Sequence, residues 1–185
     1  MNICDVDNPV GKLDVILREG LGSLYRELKS APWYKREHEI VSLFAFGHLV
    51  RLLIDQSIDV GQLDIEGRVP QEWPHRRARR TGKDRAQRDL VIWNRRGDGF
   101  WRVAGQPDRP FAVMEWKLSV SGKTRPATLA DYQDDIDWLQ HNTSLMRVGY
   151  AVLVEWPEGK LRLRCAKVLG GAVNRKFVCL PDADA

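Results

Sequence analysis

The sequence predicts an α/β protein built on one central mixed sheet flanked by helices. Three observations carry this. FAVMEWKLSV (111–120) and RVGYAVLVEW (147–156) are apolar enough to be strands covered on both faces. Between them, ATLADYQDDIDWLQHN (127–142) sets Leu129, Tyr132, Ile136 and Leu139 on one side of a helix that starts near Thr128. Ahead of them, short strands follow one another through tight turns, unlike the regular alternation of a doubly wound fold.

Each element can be justified in order. GKLDVILREGLGSLYRELKS (11–30) has the spacing of an amphipathic helix, weakened by Gly20 and Gly22, and is expected to form an N-terminal helical arm over residues 1–31. Pro32 then interrupts the chain. WYKREHEIVSLFAFGHLVRLLIDQ (33–56) is the strongest helix, with Ile40, Leu43, Phe44, Leu49, Val50, Leu52 and Leu53 forming a broad apolar face. IEGRVPQEWP (65–74) is short and extended, and RDLVIWNR (88–95) is a strand ended by the turn-rich RRGDG. FWRVAG (100–105) reads as a short edge strand, and Gln-Pro-Asp-Arg-Pro as the turn before the central strand. After the second apolar strand, PEG turns the chain and KLRLRCAKVL (160–169) alternates like a strand solvated on one side. The expectation is one domain over 1–185, with its core in 33–170 and a sheet of four to five strands.

Composition narrows the setting. The apolar fraction is ordinary for a globular chain, and no run is long enough to span a bilayer. MNICDVDNPVGKLDV lacks a basic start followed by an apolar stretch, so no secretory leader is expected. Cys4, Cys165 and Cys179 are widely spaced and form no CxxC pair, which favours a reducing cytoplasm over a disulfide framework. The net charge is only +4, but it is unevenly spread. In HRRARRTGKDRAQRD (75–89), Arg76, Arg77, Arg79, Arg80, Lys83, Arg85 and Arg88 meet one acid, Asp84, before Asp89. Such clustering suits a polyanion-binding loop; a solvated surface loop is the plainer alternative.

The central strand poses a chemical question. Side chains alternate across a strand, so Glu115 and Lys117 share a face with Phe111 and Val113, while Met114, Trp116 and Leu118 take the other. Burying an unpaired charge is costly. Either Glu115 and Lys117 form a structural ion pair, or they line a cleft at the strand's end. If the strand that begins near Asp89 is a neighbour, Asp89 and Glu115 meet. Two carboxylates so close repel unless a divalent cation bridges them. Hard oxygen donors suit magnesium or manganese, and a lysine beside the ion can orient a water or offset charge on a phosphate.

Asp89 followed by Glu115-Trp116-Lys117, each set in an apolar strand, resembles the PD-(D/E)xK nuclease superfamily. The resemblance covers roughly Trp33 to Cys165 and implies a restriction-endonuclease-like fold with an αβββαβ core. Arg88 stands where the family name has proline, and FWRVAG adds a strand. The resemblance implies a magnesium- or manganese-dependent hydrolase of DNA phosphodiester bonds. Asp89 and Glu115 would hold the ion with the main-chain carbonyl of Trp116, and Lys117 would position the attacking water. Arg76, Arg77, Arg79, Arg80, Lys83 and Arg85 would grip the nucleic-acid backbone.

The family usually adds a glutamate from the first core helix. Glu37 and Glu39 both qualify, with Glu39 narrowly preferred; either also suits the helix dipole alone. Glu72 is another acid within reach of the cleft, or else an exposed strand-end residue. Gln133, and less so Tyr132, falls where such nucleases place a polar residue near the lysine. Asp131, Asp134, Asp135 and Asp137 read as a solvated helix face, and the four histidines show no metal-ligand spacing. Many enzymes of this fold pair two copies to cut two strands, so a homodimer or a partner subunit is also implied. The competing readings are a catalytically silent nucleic-acid-binding or assembly module of the same fold in a repair or defence complex, and a structural domain in which Asp89 points away from Glu115.

Overall fold

A computed structural model describes residues 1–30, 36–70, 85–96, 109–119 and 129–181. It is an α/β protein with a six-stranded mixed sheet in the order β1-β2-β3-β4-β5-β6. The strands are β1 (Leu63–Pro70), β2 (Arg85–Trp93), β3 (Pro110–Ser119), β4 (Val148–Glu155), β5 (Arg162–Leu169) and β6 (Ala172–Leu180). Neighbours run antiparallel except β3 and β4, which are parallel and joined through a crossover containing α4 (Leu129–His141). A parallel pair needs such a long connection, and the helix it carries covers one face of the sheet.

The other face is covered by α1 (Pro9–Ser30) and by a second helical run. That run begins as α2 (Glu37–Ser42), widens into a π-helical stretch (Leu43–Leu49) and ends as α3 (Val50–Asp55). The expected N-terminal arm is instead part of the core. Leu13, Leu17, Leu21, Leu24 and Leu28 are fully buried in the cluster that holds Phe44 and Trp116. Gly20 has a packing role in α1. A Cβ there would lie 3.1 Å from Phe44 Cε2, so glycine allows the two helices this close approach. Asp14 anchors the helix to the sheet: it accepts a hydrogen bond from Tyr150 Oη at 2.7 Å and pairs with Lys167 Nζ at 2.5 Å.

Two apolar clusters sandwich the sheet. Leu90, Ile92, Met114, Trp116 and Val152 face the N-terminal helices; Val91, Trp93, Val113, Ala151 and Leu153 face Ile136, Trp138 and Leu139 of α4. Phe111, expected beside Val113, joins the first cluster instead, because a register shift between Ile92 and Trp93 falls opposite the start of β3. The sheet also exceeds the expected four to five strands. β6 was hidden by its polar centre, Asn174-Arg175-Lys176, which leaves one stretch of the strand exposed. β6 follows β5 through Gly170 and Gly171, whose φ of 55° and 84° are what a two-residue hairpin requires.

Among the described residues no helix is long and apolar enough to cross a membrane, and Cys4, Cys165 and Cys179 are free thiols. The expected FWRVAG strand lies outside the described residues.

A carboxylate-lined split between two strands

β2 and β3 pair only along part of their length. Their register runs from Trp93↔Pro110 to Leu90↔Met114, whereas β3 continues beside β4 as far as Ser119. Over the same interval β2 stays with β1, down to Pro70↔Arg85. The sheet therefore splits where the charged residues begin. One more step of the β2–β3 register sets Asp89 beside Glu115.

The split leaves main-chain N–H groups of β3 without a strand partner on that side, and buried donors need acceptors. Side-chain carboxylates supply them. Trp116 N–H donates to Asp89 Oδ2 at 2.7 Å, and Leu118 N–H donates to Glu37 Oε2 at 3.2 Å. Glu37, the first residue of α2, is thus the acid that the first core helix sends to the site. Glu39, the narrowly preferred alternative, caps its own helix: its carboxylate accepts the Arg36 backbone N–H at 3.1 Å. The reason is local, since the third helical position is where a glutamate folds back onto the N-cap.

The charges pair in an unexpected way. Glu115 and Lys117 do not choose each other. Glu115 Oε1 lies 2.5 Å from Arg88 NH1, and Lys117 Nζ lies 3.0 Å from Asp135 Oδ2. Lys117 also donates to its neighbour's carbonyl, Trp116 O, at 2.7 Å and sits 4.0 Å from Glu37 Oε1. The Trp116 carbonyl, expected to face a metal, here faces the lysine ammonium. Arg88, Glu115 and Asp135 are 5%, 4% and 3% exposed, so these pairs sit in a poorly screened interior. The Arg88 guanidinium also stacks 3.5 Å from the centre of the Trp138 ring on α4.

Arg88 reaches this side because the strand pattern changes near it. Glu66 has φ of 58° and falls at the gap in the β1–β2 ladder between Ile65↔Leu90 and Gly67↔Arg88. On one side of that gap Leu90 packs towards the N-terminal helices; on the other, Val69 packs towards α4.

Asp135 was the residue that sequence reasoning missed. It had been grouped with the solvated acids of α4, yet it is buried and holds the lysine. A signal existed: position 135 lies three residues after Tyr132 and four before Leu139, on the apolar stripe of its helix. Gln133 is turned elsewhere, donating to Asp137 at 2.6 Å and accepting from Arg175 at 2.5 Å. Tyr132 is core. Glu72, Arg76, Arg77, Arg79, Arg80 and Lys83 lie outside the described residues. Their segment, 71–84, joins the paired ends of β1 and β2. Arg85 opens β2 opposite Pro70, with only its backbone described.

The electrostatics follow from burial. Burial, and next the neighbouring Glu115, raise the Asp89 carboxyl from 3.8 to about 7. Burial also pushes Glu37 up, against the pull of Lys117. In Glu115 burial raises the pKa and Arg88 opposes it. Burial works to lower the Lys117 ammonium, but Asp135, Glu37, Asp89 and Glu115 together outweigh it and hold it above the ordinary lysine value. In this arrangement Lys117 is therefore held as a cation and a hydrogen-bond donor.

The donor chemistry fits a hard divalent ion. Asp89, Glu115 and Glu37 offer carboxylate oxygens around one split, and burial together with the neighbouring Glu115 makes the Asp89 carboxylate costly to keep ionised there. In the present arrangement no three His, Cys, Asp or Glu side chains among the described residues converge tightly enough to hold an ion. An ion held by Asp89 and Glu115 would have to share Glu115 with Arg88. Comparison with family models, with curated proteins and with solved structures finds no match for this chain.

Proposed function

We propose that the chain is a metal-dependent nuclease of the PD-(D/E)xK type, with a restriction-endonuclease-like core, that hydrolyses phosphodiester bonds in DNA. The observation that carries this reading is the meeting of Asp89, Glu115 and Lys117 at the split between β2 and β3. The element order supports it as well: a helical run, three antiparallel strands, a helix and a strand parallel to the third.

In this reading Asp89 and Glu115 hold magnesium or manganese, with Glu37 as the third acid. When bound, such an ion supplies Lewis acidity, polarising phosphate oxygens and making water more acidic. The chain's own residues do the rest. Lys117, kept protonated by Asp135 and the surrounding carboxylates, donates to the attacking water or to a phosphate oxygen and stabilises negative charge there. Asp135 fixes the lysine's direction. Arg76, Arg77, Arg79 and Arg80, on the segment linking β1 to β2, hold the DNA backbone without reading its sequence. A cytoplasmic setting, and a homodimer or partner subunit for cutting both strands, belong to the same reading.

One observation favours a second reading. Arg88 already neutralises Glu115, as a permanent counterion would in a catalytically silent binding or assembly module of the same fold. Incubating supercoiled plasmid and single-stranded DNA with magnesium or manganese separates the two, with Lys117→Ala and EDTA as controls. Cutting that needs both metal and Lys117 supports the nuclease. Well-folded protein that retains DNA without cutting it favours the silent module.

A further inference from the structure

Arg88 is an odd neighbour for a metal ligand. Its guanidinium crosses the split from β2, touches Glu115 with NH1 and lies over Trp138. Its Nε and NH2 groups, though buried, have no hydrogen-bond partner. A buried guanidinium with donors unmet is held by one charge contact and one ring. The contact with the Trp138 ring is separate from the contact with Glu115, which gives the arginine a second place of attachment.

We propose that Arg88 is the site's resident cation, which a divalent ion must displace from Glu115 in order to bind. This rests on the metal-dependent reading above and adds a threshold to it. The guanidinium holds Oε1 of Glu115, and its positive charge opposes a second cation on the same carboxylate, so ion affinity is reduced by whatever the Arg88–Glu115 pair contributes. Without a metal the arginine keeps Glu115 from being a buried, unpaired charge. With a metal it becomes a free cation beside the reacting centre. The chain would then load only where divalent ions are abundant, and would otherwise rest in a closed, ion-paired form.

The test is manganese binding to the full chain by calorimetry, without nucleic acid, for the parent, Arg88→Met, Arg88→Lys and Asp89→Asn. Met keeps an apolar side chain on the Trp138 ring and removes the competing charge. Binding should tighten about tenfold or more in Arg88→Met, which is ~1.4 kcal/mol, and stay near the parent in Arg88→Lys. If Arg88→Met does not fold, the parent alone decides: magnesium should shift the side-chain Nε–H resonance of Arg88 in a nitrogen-15 spectrum. Equal, Asp89-dependent affinity in the parent and Arg88→Met overturns the role of Arg88 and leaves the metal site standing. So does an Arg88 resonance that stays put while magnesium binds. Absence of any Asp89-dependent binding in all forms overturns the metal site itself, and the inference with it.

Discussion

Replacing Asp89 by asparagine should make the metal-free protein more stable while removing the metal-dependent cleavage proposed above. The carboxyl titrates at 3.8 when unperturbed and at about 7 in the fold. A group whose folded pKa is raised binds more protons in the native state, so its effect on stability becomes less favourable as pH rises between those two values. The shift of about 3 units corresponds to ~4 kcal/mol at ~1.36 kcal/mol per unit. Partial exposure of the side chain reduces this, so about 2–4 kcal/mol should be recovered by the neutral amide at pH 8. Asparagine keeps an acceptor for the Trp116 N–H, so the hydrogen bond across the split survives. For a chain of this size the melting temperature should rise by about 5–15 °C at pH 8 and scarcely at pH 4. Thermal melts of parent and variant across that range, in EDTA, provide the assay. Manganese should then raise the parent's melting point and leave the variant's unchanged. A variant that melts at or below the parent at pH 8 would refute the reasoning, because Asp89 would then not be a buried carboxylate pressed against Glu115.

Four further outcomes follow from the geometry together with the proposed function. Lys117→Met should abolish cleavage and cost about 3–5 kcal/mol by stranding Asp135; the double variant Lys117→Met/Asp135→Leu should regain much of the stability and none of the cleavage, as read by urea unfolding beside a plasmid assay. Glu37→Gln should lower cleavage about 10–100-fold with little loss of stability, whereas Glu39→Gln should cut like the parent; reversal of that order would return the role to Glu39. Gly149→Ala should destabilise the fold by about 1–3 kcal/mol in chemical unfolding, since its Cβ would lie 2.7 Å from Leu139 Cδ2 and push α4 off β4. Replacing Arg76, Arg77, Arg79 and Arg80 by alanine should flatten the logarithmic salt dependence of DNA binding by up to about 3–4 units, measured by fluorescence anisotropy; an unchanged slope would show that the segment does not hold phosphate.

The apolar runs made β3, β4 and α4 legible from composition and spacing alone. Two buried strands and an intervening helical period leave few alternatives. Glu115 and Lys117 stood out in the sequence for a related reason: a charge inside an apolar strand is costly to bury without a purpose, and Asp89 stood at the entry of the strand before it. β6 was not legible, since a strand at the sheet's edge can be polar along part of its length. Nor was the role of α1, because the same amphipathic pattern serves a helix docked on a sheet and one that projects from it.

What the sequence by itself determined was the α/β class, the core strands and the ionisable residues in them. What only the tertiary structure decided was the pairing. Whether Glu37 or Glu39 reaches the site depends on which carboxylate meets an unpaired β3 amide, and that depends on where β2 leaves β3. Whether Glu115 pairs with Lys117 or Arg88 depends on the altered strand pattern near Glu66 and on the Trp138 ring beneath the guanidinium. Asp135 changed from a solvated acid to the lysine's partner because α4 lies across β3 and β4 with that side inward. Residue types and local periods are properties of the chain, but an ion pair is a distance between segments far apart in sequence. Packing sets that distance.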